Sequence, residues 1–372
     1  MPNSIYIHIP FCKTHCPYCN FTVKLDHTGK LFKPYIQALC QEINNRTLNQ
    51  DNNLIDTLYL GGGTPSILPI ELLQELFETL YSVFKFSSGA EITIECNPGT
   101  ADEHKLKDFK KLGINRLSIG VQTFDDQLLQ KLARGHNVKQ AKDIILNAKK
   151  QGFNNISLDL IYGLPNQTIQ SWKESIKQAL ELPIQHISCY GLTIEENTPF
   201  AKIYTNSQNP LLPPEESLEK MYSILQDLCS ENGFEQYEVS NFAQKGFESK
   251  HNLNYWKNTD FWGFGVSAHE FVNGKRKANT QNLEDYIKNP LNNQELLETN
   301  PALEDFMLPL RTSLGLNLKD YEIKYKINLL AGKDDLIRDL LKQNLIKLEN
   351  NYLKITPKGF LLSTEIIGRL MP

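Results

Sequence analysis

The chain has 372 residues, 40% hydrophobic and 22% charged, ordinary values for a globular protein and room for roughly two to three domains. Its 39 Lys and Arg against 43 Asp and Glu leave a formal charge of −4. That speaks against a protein built mainly to bind nucleic acid or an anionic membrane surface, since either calls for basic excess. No apolar run reaches the roughly 18 residues of a membrane span. The start, Met1-Pro2-Asn3-Ser4-Ile5-Tyr6, lacks the basic and apolar regions of a secretory signal, so the expected compartment is the cytoplasm. Seven cysteines are too few, and odd in number, for a secreted disulfide framework.

The first 240 residues alternate short β-branched runs with amphipathic stretches. Strands are expected at Ser4–Ile9, 57–60, 91–95, 116–121, 156–161 and 186–190, each the length of a buried parallel strand. Helices are expected at 69–84, 101–112, 125–133 and 140–150. Thr100 is placed to cap the second of these and Gly113 to end it. Repeated βα units dictate a parallel sheet, and six fall short of the eight of a closed barrel. The expected fold is therefore α/β, an open three-quarter (β/α)6 barrel over residues 1–240. Residues 241–300, rich in Asn, Lys and aromatics and weak in periodicity, read as an edge or connecting segment. Residues 301–372 read as helix, helix, a hairpin over 345–355 turning at Asn350-Asn351, and a final helix. That is the outline of a winged-helix domain, and its 11 basic and 9 acidic residues leave no electrostatic footprint for DNA.

Three of the seven cysteines fall together. The run Tyr6-Ile7-His8-Ile9-Pro10-Phe11-Cys12-Lys13-Thr14-His15-Cys16-Pro17-Tyr18-Cys19-Asn20-Phe21 leaves the end of the first expected strand, the face on which such barrels build their sites. Three clustered thiolates suit an iron–sulfur cluster or zinc. Zinc would want a fourth ligand, which His8 or His15 could supply. A [4Fe–4S] cube on three cysteines leaves one iron open to an outside ligand. The bland alternative is three incidental core cysteines.

Cys-x3-Cys-x-Tyr-Cys after a first strand resembles the signature of radical S-adenosylmethionine proteins. Gly61-Gly62-Gly63-Thr64-Pro65-Ser66 follows the second strand, where that superfamily sets a glycine turn against the methionyl amino group; glycines let backbone approach a ligand closely. Further matching stretches are Glu95-Cys96-Asn97-Pro98-Gly99, Arg116-Leu117-Ser118-Ile119-Gly120-Val121-Gln122, Leu132-Ala133-Arg134-Gly135-His136 and 157–168. They resemble the branch that holds anaerobic coproporphyrinogen III dehydrogenase and the HemW-type heme chaperones, over essentially the whole chain. The resemblance implies a [4Fe–4S] cluster on Cys12, Cys16 and Cys19. It also implies S-adenosylmethionine lined by Tyr6, Tyr18, Gly62, Gly63, Thr64, Glu95, Gln122, Arg134 and Asp159, together with the machinery for its reductive cleavage. Arg134 suits the methionine carboxylate, and Asp159 and Gln122 suit ribose hydroxyls.

Two departures separate the relatives. The dehydrogenase motif continues Cys-x-Cys, whereas Asn20-Phe21 follow Cys19 here, and the dehydrogenase carries an extension ahead of a strand that here begins by about Ser4. His251-Asn252-Leu253-Asn254-Tyr255-Trp256 resembles the His-Asn-x-x-Tyr-Trp element associated with heme in the chaperone branch. That likeness implicates His251, Asn252, Tyr255 and Trp256 in heme binding, an axial imidazole beside flat apolar walls. His269 and His8 compete for the axial role, and His251 can equally be a structural, hydrogen-bonded side chain. Three readings follow. The first is a heme chaperone that transfers heme to an acceptor protein and draws on an electron donor. The second is an oxygen-independent coproporphyrinogen III oxidase. The third is a winged-helix nucleic-acid binder, which the acidic balance disfavours. The missing fourth cysteine and the His-Asn element favour the chaperone.

Overall fold

The computed structural model describes residues 2–47, 54–204, 211–291 and 294–371. Six strands, β1 Ser4–Ile9, β2 Leu54–Gly62, β3 Lys85–Cys96, β4 Arg116–Gln122, β5 Ile156–Tyr162 and β6 His186–Gly191, lie side by side in chain order, all parallel. Helices fill the crossovers: α1 Phe32–Arg46, α2 Ile70–Val83, α3 Glu103–Lys111, α4 Val138–Lys150 and α5 Ile169–Leu180. This is the open six-stranded (β/α) partial barrel that the βα rhythm dictates.

The strands alternate strictly between two environments. Ile5, Ile7, Ile9, Leu58, Leu60, Ile92, Ile94, Leu117, Ile119, Leu158, Leu160 and Ile187 are buried under the helices. Their neighbours Thr57, Glu91, Thr93, Arg116, Ser118, Ser157, His186 and Ser188 are buried too, but on the opposite face, because successive side chains of a strand point opposite ways. Cross-strand register keeps each set together: Thr93 pairs with Arg116, Glu95 with Ser118 and Asp159 with Ser188. The apolar face supplies the hydrophobic core and the polar face lines the lumen.

Two elements start elsewhere than the sequence pattern places them. β2 and β3 begin at Leu54 and Lys85, with a register shift between Ile55 and Thr57. The added residues Lys85–Gly89 are mostly exposed and carry no apolar alternation to announce a strand. Thr100 does not cap α3. Asp102 does, accepting from the Lys105 amide at 2.8 Å, while the Thr100 hydroxyl donates to the Asn97 carbonyl at 2.6 Å.

The segment 241–300 supplies strands at both flanks of the sheet. β7 Asn241–Ala243 pairs antiparallel with β6, and β8 Trp262–Phe264 pairs parallel with β1. Between them the short helix Lys250–Trp256 lies against the N-terminal ends of the strands. Its first amides, on Lys250 and His251, donate to the Glu91 carboxylate at 3.3 and 3.1 Å. The strands His269–Val272, Lys275–Asn279 and Gln294–Leu297 form a small antiparallel sheet.

In the tail, Leu316–Asn317, Ile346–Glu349 and Tyr352–Ile355 make a three-stranded sheet with helices Leu318–Tyr325, Asp334–Lys342 and Ser363–Leu370. The hairpin turns on Asn350 and Asn351, at φ 51° and 68°, the left-handed pair that a two-residue primed turn requires. Among the described residues no helix is long and apolar enough to cross a membrane.

Candidate functional site

All six parallel strands end at one mouth, and the loops that follow them enclose a cavity of about 440 Å³. Cys12, Cys16 and Cys19 line it from the loop after β1. Cys16 is buried and the other two are half-buried. The loop is held at three places. The Cys19 amide donates to the Cys16 carbonyl at 3.0 Å, the Lys24 amide to the Pro10 carbonyl at 2.6 Å, and the Phe200 amide to the Pro17 carbonyl at 2.9 Å. Burial raises the Cys12 thiol to about 11, against a hydrogen bond with Thr64 that lowers it, and burial raises Cys19 as well. Thiols so placed need positive charge nearby to stand as thiolates. No group of three or more His, Cys, Asp or Glu among the described residues is placed to hold a single metal ion.

The glycine turn docks directly on this loop. The Gly63 amide donates to the Ile9 carbonyl and the Thr64 amide to the Phe11 carbonyl, both at 2.8 Å. A side chain at Gly63 would meet the Phe11 carbonyl oxygen at 2.7 Å and the Pro10 carbonyl carbon at 2.9 Å. Gly62, at φ 110°, holds a conformation that favours glycine. Thr64 Oγ1 sits 3.5 Å from Cys12 Sγ and accepts from Asn97 Nδ2 at 2.8 Å.

Polar groups converge on the opposite wall. Glu95 accepts from the Tyr59 hydroxyl at 2.8 Å and the Gly62 amide at 3.1 Å. Burial, with help from the Asp159 charge, raises Glu95 to about 7. Burial likewise raises Asp159 to about 6 against its hydrogen bonds with Ser188 and Ser118. Arg134 donates to Asn97 Oδ1 and the Gly120 carbonyl at 2.5 Å each and lies 3.6 Å from Cys16 Sγ. Its Nε is buried with no hydrogen-bond partner among the described residues. Gln122, at φ 73°, sits at the irregularity where β4 leaves its register with β5.

The structure therefore gathers Cys12, Cys16, Cys19, Tyr18, Gly62, Gly63, Thr64, Glu95, Gln122, Arg134 and Asp159 around one cavity. Tyr6 is not among them. It stacks on Tyr59 at 6.2 Å and gives its hydroxyl to a contact with His8 Nδ1 at 3.1 Å, lining an adjacent cavity of about 680 Å³. Asn97, Ser118 and Ser188 also line the main cavity. The signal for Asn97 and Ser118 was their place in the matching stretches 95–99 and 116–122; Ser188 carries no signal beyond the alternation of its strand.

The His-Asn-x-x-Tyr-Trp residues do not share one surface. Asn252 lines the main cavity, Tyr255 the adjacent one, and Trp256 a third, against the tail. His251 is 1% exposed, with Nδ1 2.8 Å from Thr57 Oγ1 and Nε2 2.8 Å from the Tyr255 hydroxyl. Both ring nitrogens stand at hydrogen-bond distance from hydroxyl groups. This arrangement corresponds to the hydrogen-bonded one of the two readings of His251.

A partial barrel with three thiols on its first loop and a glycine turn on its second is the architecture of a radical S-adenosylmethionine protein. Residues 6–179 match the Radical SAM superfamily and residues 296–362 the HemN C-terminal domain. The Heme chaperone HemW of Bacillus subtilis is 38% identical over 99% of both chains, and that of Lactococcus lactis 34% over 100% of this chain and 97% of its own. The solved coproporphyrinogen III oxidase (HemN) of Escherichia coli superposes with a TM-score of 0.86 at 24% identity, over 99% of this chain and 90% of that one, which establishes the fold. The chain belongs to the HemW family of heme chaperones within the radical SAM superfamily, a superfamily that implies a [4Fe–4S] cluster and S-adenosylmethionine.

Proposed function

We propose that this chain holds a [4Fe–4S] cluster on Cys12, Cys16 and Cys19, binds S-adenosylmethionine beside it, and carries heme to an acceptor protein. The convergence of the three thiols with Arg134, Glu95 and Asp159 on one cavity supports the first two parts. The unpaired Arg134 Nε is a donor suited to a carboxylate, and Asp159 and Gln122 suit hydroxyls of a ribose. Tyr59 and Glu95 hold the glycine turn so that its backbone can approach an amino group. A bound cluster supplies one electron for reductive cleavage of the sulfonium; the protein contributes position and exclusion of water. An electron donor and a heme acceptor are the partners this reading requires, and the cytoplasm is its compartment.

The name of the full-length relatives and the absence of a fourth motif cysteine after Cys19 support heme as cargo. Anaerobic reconstitution should give about four irons per chain. Cys12→Ala, Cys16→Ala and Cys19→Ala should each abolish that uptake, while Cys40→Ala and Cys229→Ala should not. Hemin titration of the parent chain should saturate near one heme per chain. Formation of protoporphyrinogen from coproporphyrinogen under reducing, anaerobic conditions would overturn the chaperone reading in favour of the oxidase.

A further inference from the structure

Three histidines stand near the adjacent cavity of about 680 Å³, a volume within the usual roughly 300–1,000 Å³ of small-molecule sites. Two of them are spent. His8 is 5% exposed, with Nδ1 on the Tyr6 hydroxyl at 3.1 Å and Nε2 on the Thr22 carbonyl at 3.0 Å. His251 is buried and doubly bonded as described above. Burial depresses these two to about 4 and about 3.

His269 is the opposite case. Its side chain is exposed and lines the cavity, and among the described residues neither ring nitrogen has a hydrogen-bond partner. Its backbone, by contrast, is firmly placed. The turn before it, with Gly265 at φ 100° and Ser267 at φ 57°, is tied by the Ala268 amide to the Gly265 carbonyl at 3.1 Å and by the Asn279 amide to the Ala268 carbonyl at 2.9 Å. The carbonyl of His269 packs so closely on β8 that a Cβ at Gly263 would fall 1.9 Å from it. A fixed backbone bearing an unengaged imidazole over a cavity is the arrangement an axial ligand needs.

The walls have matching chemistry. Tyr255 and Phe261 line one side, in edge contact at 4.6 Å. Phe21 lines the other and is 69% exposed, so its ring face is open to an occupant of the cavity. Arg276, on the strand next to His269, also lines it. Its Nε and Nη2 are bound to Glu304 and Asn258, but Nη1 has no partner among the described residues and is a donor for a carboxylate. Phe21 lines the main cavity as well, so the residues just after Cys19 form a partition between the two.

We infer that this second cavity is the seat of the heme cargo, with His269 as the axial ligand to its iron, Phe21 against the macrocycle and Arg276 facing a propionate. The inference rests on the chaperone reading and deepens it: it moves the ligand from His251 to His269.

The test is hemin titration of the full-length chain, followed by the Soret band and Kd, in the parent and in His269→Ala, His251→Ala and Phe21→Ala. The parent should bind about one heme. His269→Ala should shift the Soret band and weaken binding at least tenfold, and free imidazole should restore the parent band by occupying the vacated position. Phe21→Ala should weaken binding with the band unmoved. His251→Ala should leave the band where it is. Because His269 and Phe21 are exposed, neither change disturbs the core, and an unaltered circular dichroism spectrum confirms it. A parent chain that binds heme while His269→Ala keeps both its band and its Kd overturns the seat and leaves the chaperone reading standing. A parent chain that binds no heme overturns both.

Discussion

Arg134 reaches Cys16 across the barrel mouth, its Nη1 3.6 Å from the Cys16 Sγ, while Nη2 holds Asn97 and the Gly120 carbonyl. One guanidinium thus ties together the loops after β1 and β3 and the end of β4. Arg134→Ala should leave iron content intact, since no thiol is removed. It should weaken S-adenosylmethionine about tenfold or more, as a hydrogen bond to a charged group contributes roughly 1.5–3 kcal/mol. The measurement is the perturbation of the reduced cluster's electron paramagnetic resonance signal by added S-adenosylmethionine. A variant that responds like the parent places the pocket elsewhere.

Gly63 fits only because it has no side chain. Its nearest obstacles are backbone atoms of Phe11 and Pro10, which cannot rotate away. Gly63→Ala should push the cysteine loop off the glycine turn, lower reconstituted iron to under half of the parent's, and cost about 1–3 kcal/mol by overpacking. Gly89→Ala is the control, with nothing within 4 Å of its Cβ. Iron quantification that finds the two variants alike would show that the loop tolerates the shift.

Glu91 serves two elements at the closed end of the lumen. Its carboxylate lies 4.0 Å from Arg116 Nε, at 5% and 2% side-chain exposure, and accepts the amides of Lys250 and His251. Glu91→Ala strands a buried guanidinium and should destabilise the chain by about 3–5 kcal/mol. Urea unfolding measures it, and a loss under about 1 kcal/mol, the size of an exposed pair, would show that Arg116 finds another partner.

Acid should unfold this chain partly through its histidines. His8, His136 and His251 are depressed by burial from 6.5 to about 4, about 4 and about 3. Between those values and 6.5 the unfolded chain binds more protons, so their contribution is whole above pH 6.5 and lost as pH falls toward 4. Glu95 and Asp159, raised by burial to about 7 and about 6, act in the opposite sense, their contribution whole below about pH 4 and lost as pH rises through 6 to 7. His251→Gln should therefore flatten the fall of the urea midpoint between pH 6.5 and 3, and Glu95→Gln the slope between pH 4.5 and 7. An unchanged pH profile in either variant would show that its group titrates normally in the folded chain.

Local features were the legible ones. The bounds of β1 and the Asn350-Asn351 turn follow from a few adjacent residues, and the three cysteines announce their loop by spacing alone. Features that depend on the neighbouring strand were not legible: Lys85–Gly89 extend β3 through pairing with β2, against their own weak pattern. The capping of α3 moved two residues because Thr100 is drawn to the Asn97 carbonyl. That Tyr6 would line the adjacent cavity, stacked behind Tyr59, was likewise not legible. The placement of the His-Asn-x-x-Tyr-Trp residues was not legible either. On a helix, adjacent residues are about 100° apart while i and i+4 share a face, so His251 and Tyr255 pair with each other and Asn252 and Trp256 turn to other surfaces.

The alternation along the six strands has a consequence for how this chain tolerates change. Every second residue answers to the helices outside and sustains the fold; those between, apart from the Glu91–Arg116 pair, answer to the lumen and its cavity. Substitutions at Leu58, Ile94 or Leu158 should register as lost expression, whereas those at Glu95, Ser118 or Asp159 should leave a soluble chain that has lost a ligand. A sequence drifting under selection can therefore revise what the barrel holds without renegotiating how the barrel stands, provided no strand slips by a single residue, since that slip would exchange the two inventories at once.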